Sequence, residues 1–219
     1  MNILNKEIIN CTKCSRLVNF REKIAFEKRK QFSNETYWGK PVPGFGDLKA
    51  EILILGLAPA AHGGNRTGRL FTGDKSASFL FKCLFKAKLA NQPFSNYSDD
   101  GLILNKIYIT AALKCVPPQD KPKSVELKNC FNFLKGEFNH LQNVTTILTL
   151  GKIAFDSCLM FFKMDKKNHK FKHGQIFEVD KKRKIVASYH PSPRNVNTKR
   201  IDENTMVDLL RKVKKMHQK

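Results

Sequence analysis

Four cysteines and two short segments hold the residue types that can do chemistry. Cys11 and Cys14 form a C-x2-C pair, and Cys115 and Cys130 follow far downstream. Thiolates are soft ligands, so this pattern points to a metal centre rather than to disulfide bridges. On spacing alone it serves a structural zinc site and an iron–sulfur cluster equally well. The first segment is GLAPAAHGGNRTGRLFTGD, residues 56–74, whose glycines at 63, 64, 68 and 73 let the backbone approach a ligand closely. It is neither a Walker A loop nor a GxGxxG fingerprint, which argues against nucleoside triphosphates and dinucleotides. The second is YHPSPRNVNT, residues 189–198. A lone histidine is more often structural than catalytic, but His190 directly follows a strand and precedes a polar Arg/Asn cluster, a place suited to acid, base or donor work.

Both segments need rigid elements beneath them, and the apolar patterning predicts these. Strands are expected over 51–56, 107–113 and 144–150, with a hairpin joining 176–179 to 184–188. Helices are expected over about 75–90, from Ser124 as a cap through Cys130, after Gly151 through Cys158, and over about 204–217. Cys83 and Cys158 fall on apolar stripes and read as small core residues. Strands alternating with helices predict a single-domain α/β fold over 1–219, a three-layer sandwich with a central, mostly parallel sheet. A metal-binding segment, 1–32, would pack on it, its Arg16, Arg21, Lys23, Lys28, Arg29 and Lys30 reading mainly as a solvated face. Residues 163–173 read as an exposed basic insertion. In parallel sheets ligands sit beyond the carboxyl ends of the strands, so the loops after Gly56, Leu113, Leu150 and Ser188 are the places to search.

Composition narrows the partner. The 219 residues carry 40 Lys and Arg against 19 Asp and Glu, a formal charge of +21. Such an excess suits a polyanion, nucleic acid first and an anionic membrane surface second. A 41% hydrophobic content with 17 Phe argues against a disordered chain. No apolar run approaches the ~20 residues needed to cross a bilayer, and MNILNKEIINC lacks a signal-peptide pattern. An intracellular, cytoplasmic protein is expected.

Together, the two segments and four cysteines resemble the uracil-DNA glycosylase superfamily, and within it the iron–sulfur type B, or family 5, enzymes. The resemblance runs over roughly residues 11–210. The sister iron–sulfur group, family 4, has a glutamate where this chain has Leu57. The resemblance implies a [4Fe–4S] cluster on Cys11, Cys14, Cys115 and Cys130, with structural zinc as the alternative. It implies hydrolysis of the N-glycosidic bond of uracil, and of other deaminated bases such as hypoxanthine, in single- or double-stranded DNA, by a monomer. Asp74 would orient or deprotonate the water and face the cationic sugar. His190 would hydrogen-bond the carbonyl oxygen of the departing base, and Phe71 would stack on it. Backbone groups of Leu57, Ala58, Pro59 and Ala60 would contact base or water. Asn65 and Arg66 would hold phosphate or loop geometry, and Ser192, Arg194 and Asn195 would meet DNA. No lysine is marked as an imine-forming nucleophile, so a monofunctional enzyme is implied.

Two positions depart from relatives. Ala111 stands where the sister family has an asparagine that reads uracil, which fits a broader substrate range. Asp120 stands where asparagine is common, and it either points elsewhere or takes part in chemistry. A non-catalytic nucleic-acid-binding module shares the charge and cysteines but leaves Asp74 and His190 without a role. A phosphoesterase would want a carboxylate-rich metal site, which the motifs lack.

Overall fold

The computed structural model describes residues 1–216. Helices α1 (Asn2–Ile9) and α2 (Ser15–Glu27) lead into strands β1 (Phe45–Gly46) and β2 (Ile52–Gly56). A single turn, α3 (Gly64–Thr67), and α4 (Lys75–Lys86) follow, then β3 (Ile107–Ala111), α5 (Ser124–His140), β4 (Thr146–Leu150) and α6 (Lys152–Phe161). The chain closes with β5 (Ile176–Glu178), β6 (Lys184–Ser188), α7 (Pro193–Asn197) and α8 (Glu203–Lys215).

The sheet runs β1-β3-β2-β4-β6-β5, with β3, β2, β4 and β6 parallel and the two outer strands antiparallel. Period-2 alternation sends side chains to both faces, and both faces are covered. Ile52, Ile54, Ile107, Ile109 and Leu148 meet Leu80 and Leu84 of α4 and Met206 and Leu210 of α8. Leu53, Leu55, Ile147 and Ile185 meet Leu134 of α5 and Phe155 and Leu159 of α6. Each such side chain contributes about 1.5–3 kcal/mol on burial, which accounts for a three-layer α/β sandwich as the stable arrangement. Among the described residues no helix is long and apolar enough to cross a membrane.

Element ends differ from the sequence reading for local reasons. Helix α4 stops at Lys86 because Lys88 turns left-handed (φ +57°), after which Ala90 bridges Leu104. Strand β3 ends at Ala111, although Ala112 and Leu113 still donate to the carbonyls of Gly56 and Leu57. Ser124 does not cap α5. Lys123 holds the cap position, and its N–H donates to the Glu126 carboxylate at 2.7 Å, which Arg16 also grips at 2.7 Å. The basic segment is therefore only partly a solvated face, since Arg16 is paired and Arg21 is buried. The expected end of the last helix at 217 lies outside the described residues.

One element of the core gave no sequence signal. Lys114 and Glu137 are 1% and 0% exposed, with the ammonium 2.8 Å from both carboxylate oxygens. The Thr110 hydroxyl and the Gly44 N–H also donate to Glu137, joining β3, α5 and the chain before β1.

Candidate active site

Because β2, β4 and β6 are parallel, the loops that follow them gather at one edge of the sheet. Asp74 ends the loop after β2 and caps α4, with the Ala77 N–H donating to Oδ1 at 2.8 Å. Its Oδ2 lies under Gly63, where a Cβ would sit only 2.3 Å away. Glycine at 63 is thus what lets the loop close over the carboxylate. Desolvation pushes Asp74 above the usual carboxylate range, while the Ala77 and Ser76 N–H groups and the Arg66 charge oppose that rise. Asp74 shares a cleft with Arg29, Ala60, His62, Lys75, Tyr97 and Pro193.

His190 follows β6. Gly151, at the end of β4 with φ +94°, lies against it so closely that a Cβ there would be 3.1 Å from the His190 Cβ. Its main chain is held by the Asn195 side-chain amide, which donates to the His190 carbonyl at 2.9 Å. Burial pushes the imidazole down to about 4, so it is neutral at pH 7. The Phe71 ring stands 6.0 Å from it, tilted by 30°. Phe71 has φ +47°, a left-handed conformation that costs a bulky residue roughly 1–2 kcal/mol. Strain of that kind persists only where surrounding structure imposes it, here with the aromatic edge against Gly56.

The other expected residues divide into two sets. Ala60 is exposed in the cleft, and Leu57 and Ala58 are partly buried, whereas Pro59 is buried against Gly64. Asn65 and Arg66 have side-chain donors engaged within the protein. Asn65 is 1% exposed and donates to the Arg21 carbonyl at 3.1 Å. Arg66 donates to the carbonyls of His62 and Gly73, pairs with Glu35 and lies 3.9 Å over the Phe32 ring. Both side chains hold loop geometry because their donors are occupied inside the protein. Ser192 caps α7 and Asn195 turns inward, while Arg194 is exposed. Ala111 is fully buried at the end of β3, opposite Gly56. Asp120 is exposed, on a turn where it and Gln119 both have φ +55°.

Some residues of this edge were not singled out from sequence. Arg69 forms a buried pair with Asp100 at 2.7 Å and donates to Ser95 and Thr72, fastening the 95–100 loop to the first motif. His62 meets the Tyr37 hydroxyl at 3.1 Å. His173 stacks on Tyr189 at 5.4 Å and accepts its N–H, setting the backbone just before His190. The histidine after two alanines in the first motif was the available hint for His62; the others leave no local mark.

The four cysteines come together from three places: the α1–α2 junction, the chain after β3, and α5. All four line one small cavity with Leu17, Arg21, Lys114 and Phe133. The Arg21 guanidinium donates to Cys115 Sγ at 3.2 Å, and the Asn129 amide to Cys14 Sγ at 3.5 Å. Burial pushes the Cys130 thiol up to about 12 and Cys115 upward as well. Cys83 and Cys158 are buried in the two main core clusters, as expected.

The family model described as the uracil DNA glycosylase superfamily matches residues 43–214. The chain belongs to this superfamily. Within the superfamily it is 42% identical over 205 residues to the type-5 uracil-DNA glycosylase of Pyrobaculum aerophilum, covering 94% of this chain and 88% of that one. It is 43% identical over 206 residues to the Thermus thermophilus type-5 uracil-DNA glycosylase, covering 94% and 93%. The Mycobacterium bovis type-5 enzyme is 40% identical over 215 residues, covering 97% and 80%. These matches put the chain in the type-5 branch of the uracil DNA glycosylase superfamily. The two motifs are the loops that meet at the carboxyl edge of the sheet.

Proposed function

We propose that the protein hydrolyses the N-glycosidic bond of uracil, and of other deaminated bases such as hypoxanthine, in DNA, leaving an abasic site. The observation that carries this reading is the placement of Asp74, His190 and Phe71 in loops at one edge of the sheet, with the Phe71 ring 6.0 Å from that of His190. A base drawn out of the duplex, at a cost of a few kcal/mol, would stack on Phe71. As the glycosidic bond lengthens, negative charge moves onto the base carbonyl, where the His190 N–H donates a hydrogen bond that strengthens with that charge. The sugar becomes oxocarbenium-like, and the ionised Asp74 faces it. Water attacks the anomeric carbon, Asp74 Oδ2 takes its proton, and the base departs as an anion. A neutral histidine suits this role, because a donor is needed and a full positive charge at pH 7 is not available. Arg194 is the residue of the second motif best presented to DNA, and the net charge of +21 supplies phosphate neutralisation by counterion release. The absence of a polar side chain at Ala111 fits acceptance of more than one deaminated base. We assign both strand forms as substrates, the monomer as the working unit and the inside of the cell as its location.

Membership of the type-5 branch is consistent with an iron–sulfur cluster, and we assign a [4Fe–4S] cluster to Cys11, Cys14, Cys115 and Cys130. The donor set fits: four soft thiols share one cavity, with a buried Arg21 Nε that lacks a hydrogen-bond partner among the described residues. Bound there, the cluster would supply a cross-link between the α1–α2 segment and the β3–α5 region, and no chemical step passes through it.

The test is excision from an end-labelled duplex with one uracil opposite guanine, read with and without alkali. An alkali-dependent product from the uracil strand supports a monofunctional glycosylase. No product from uracil, hypoxanthine or xanthine duplexes, with binding intact, would favour a non-catalytic DNA-binding module. Stoichiometric zinc without iron after anaerobic purification would overturn the cluster assignment.

A further inference from the structure

We infer that Arg21 is a positioning residue for the group held by the four cysteines, and that it joins that group to the loop carrying Asp74. The inference rests on the cluster assignment above. A guanidinium that is only 4% exposed is costly unless its donors are matched. Nη1 donates to Cys115 Sγ at 3.2 Å and to the Cys11 carbonyl at 3.3 Å. Among the described residues Nη2 pairs with the Glu22 carboxylate at 3.5 Å, and that carboxylate is well exposed. Nε is buried with no hydrogen-bond partner among the described residues. The described protein groups therefore leave this arginine under-matched, on the wall of a cavity that all four thiols line. Four thiolates make any group bound there anionic. A buried, permanently charged fork beside it satisfies the spare donor and offsets the negative charge.

Two consequences follow. Hydrogen bonds and positive charge at the ligand sulfurs favour the more negative, reduced form, so Arg21 raises the cluster's reduction potential. Such outer contacts also fix ligand orientation and slow loss of the group. The same residue reaches the first motif through its backbone, because its carbonyl accepts the Asn65 amide at 3.1 Å. The Asn65 carbonyl in turn accepts the Gly39 N–H at 3.0 Å. Displacement of Arg21 thus pulls on the loop between His62 and Asp74.

The experiment uses the intact protein purified anaerobically as wild type, R21Q, R21K, K13Q and N65A. Iron and acid-labile sulfide are measured first on the wild type; zinc in place of iron would overturn the cluster assignment and this inference with it. Midpoint potential by voltammetry and the rate of bleaching of the visible absorption band in air are then compared. R21Q is expected to have a lower potential and several-fold faster bleaching. R21K, which keeps the charge without the planar fork, should recover part of both, and it carries the test if R21Q does not fold. K13Q removes an exposed charge at the cavity wall and should move neither. N65A should leave the potential at its wild-type value while slowing excision. Wild-type potential and bleaching in R21Q and R21K would overturn the inference even where the wild type holds a full cluster.

Discussion

Asp74 caps α4 and is the proposed general base, and substitutions can separate the two functions. Oδ1 accepts the Ala77 N–H at the start of α4, and Oδ2 lies against Gly63. In D74N the amide oxygen can keep the cap, and Asn ranks with Asp as a cap residue, so folding stability should barely change. In D74A the cap is lost, at about 1 kcal/mol, which lowers Tm by roughly 2–4 °C in a protein of this size. The chemical contribution is larger. General-base catalysis contributes about 10²- to 10⁴-fold, equivalent to about 3–5 kcal/mol in the barrier. Both variants should therefore lose two or more orders of magnitude in single-turnover excision from a uracil-containing duplex, although only D74A melts lower. Affinity for undamaged duplex should stay near wild type in D74N. The reasoning is refuted if D74N excises at close to the wild-type rate, or if activity across the two variants simply follows Tm.

Four further outcomes are expected. The excision rate should decline at acid pH with a midpoint above the ~3.9 of an ordinary aspartate, because desolvation raises Asp74; a limb at or below that value would contradict its role as base. His190 is lowered from about 6.5 unfolded to about 4 folded, so the unfolded chain binds more protons in that window. Its stability contribution is whole above the window and shrinks as pH falls towards 4, a slope in urea unfolding that H190Q should remove. H190A should cost about 10²- to 10³-fold in excision, as loss of one donor to a developing oxyanion does, and H190Q should cost less because it keeps a donor; equal losses would remove the donor role. K114M strands the Glu137 carboxylate at 0% exposure, so unfolding should cost about 3–5 kcal/mol less, while K114M/E137L recovers most of it. A wild-type melting temperature for K114M would show that the pair contributes nothing.

The layers and the site edge were legible in the amino-acid sequence because they depend on local pattern. Runs such as Ile52–Leu55 bury both faces, the strand–helix alternation demands a parallel sheet, and a parallel sheet has one carboxyl edge for its loops. The two motifs lie directly after strand ends, which placed Asp74, Phe71 and His190 on that edge. Other assignments required distances between residues remote in the chain. Asn65 and Arg66 suit either phosphate or loop geometry by residue type, and the fold brings Arg21, Glu35 and Phe32 to their side chains. Ser124 has the right type for a cap, but Arg16 holds Glu126 where that carboxylate takes the Lys123 N–H. Lys114 and Glu137 look like ordinary surface charges until β3 and α5 pack and exclude water from both. Residue type and spacing determined which chemistry the chain carries. Packing alone decided that Asp74 Oδ2 lies against Gly63, that the His190 imidazole is pushed below its usual range, and that Arg21 has a donor to spare beside the cysteines. Those properties arise from desolvation and close approach, and neither is defined until distant segments meet.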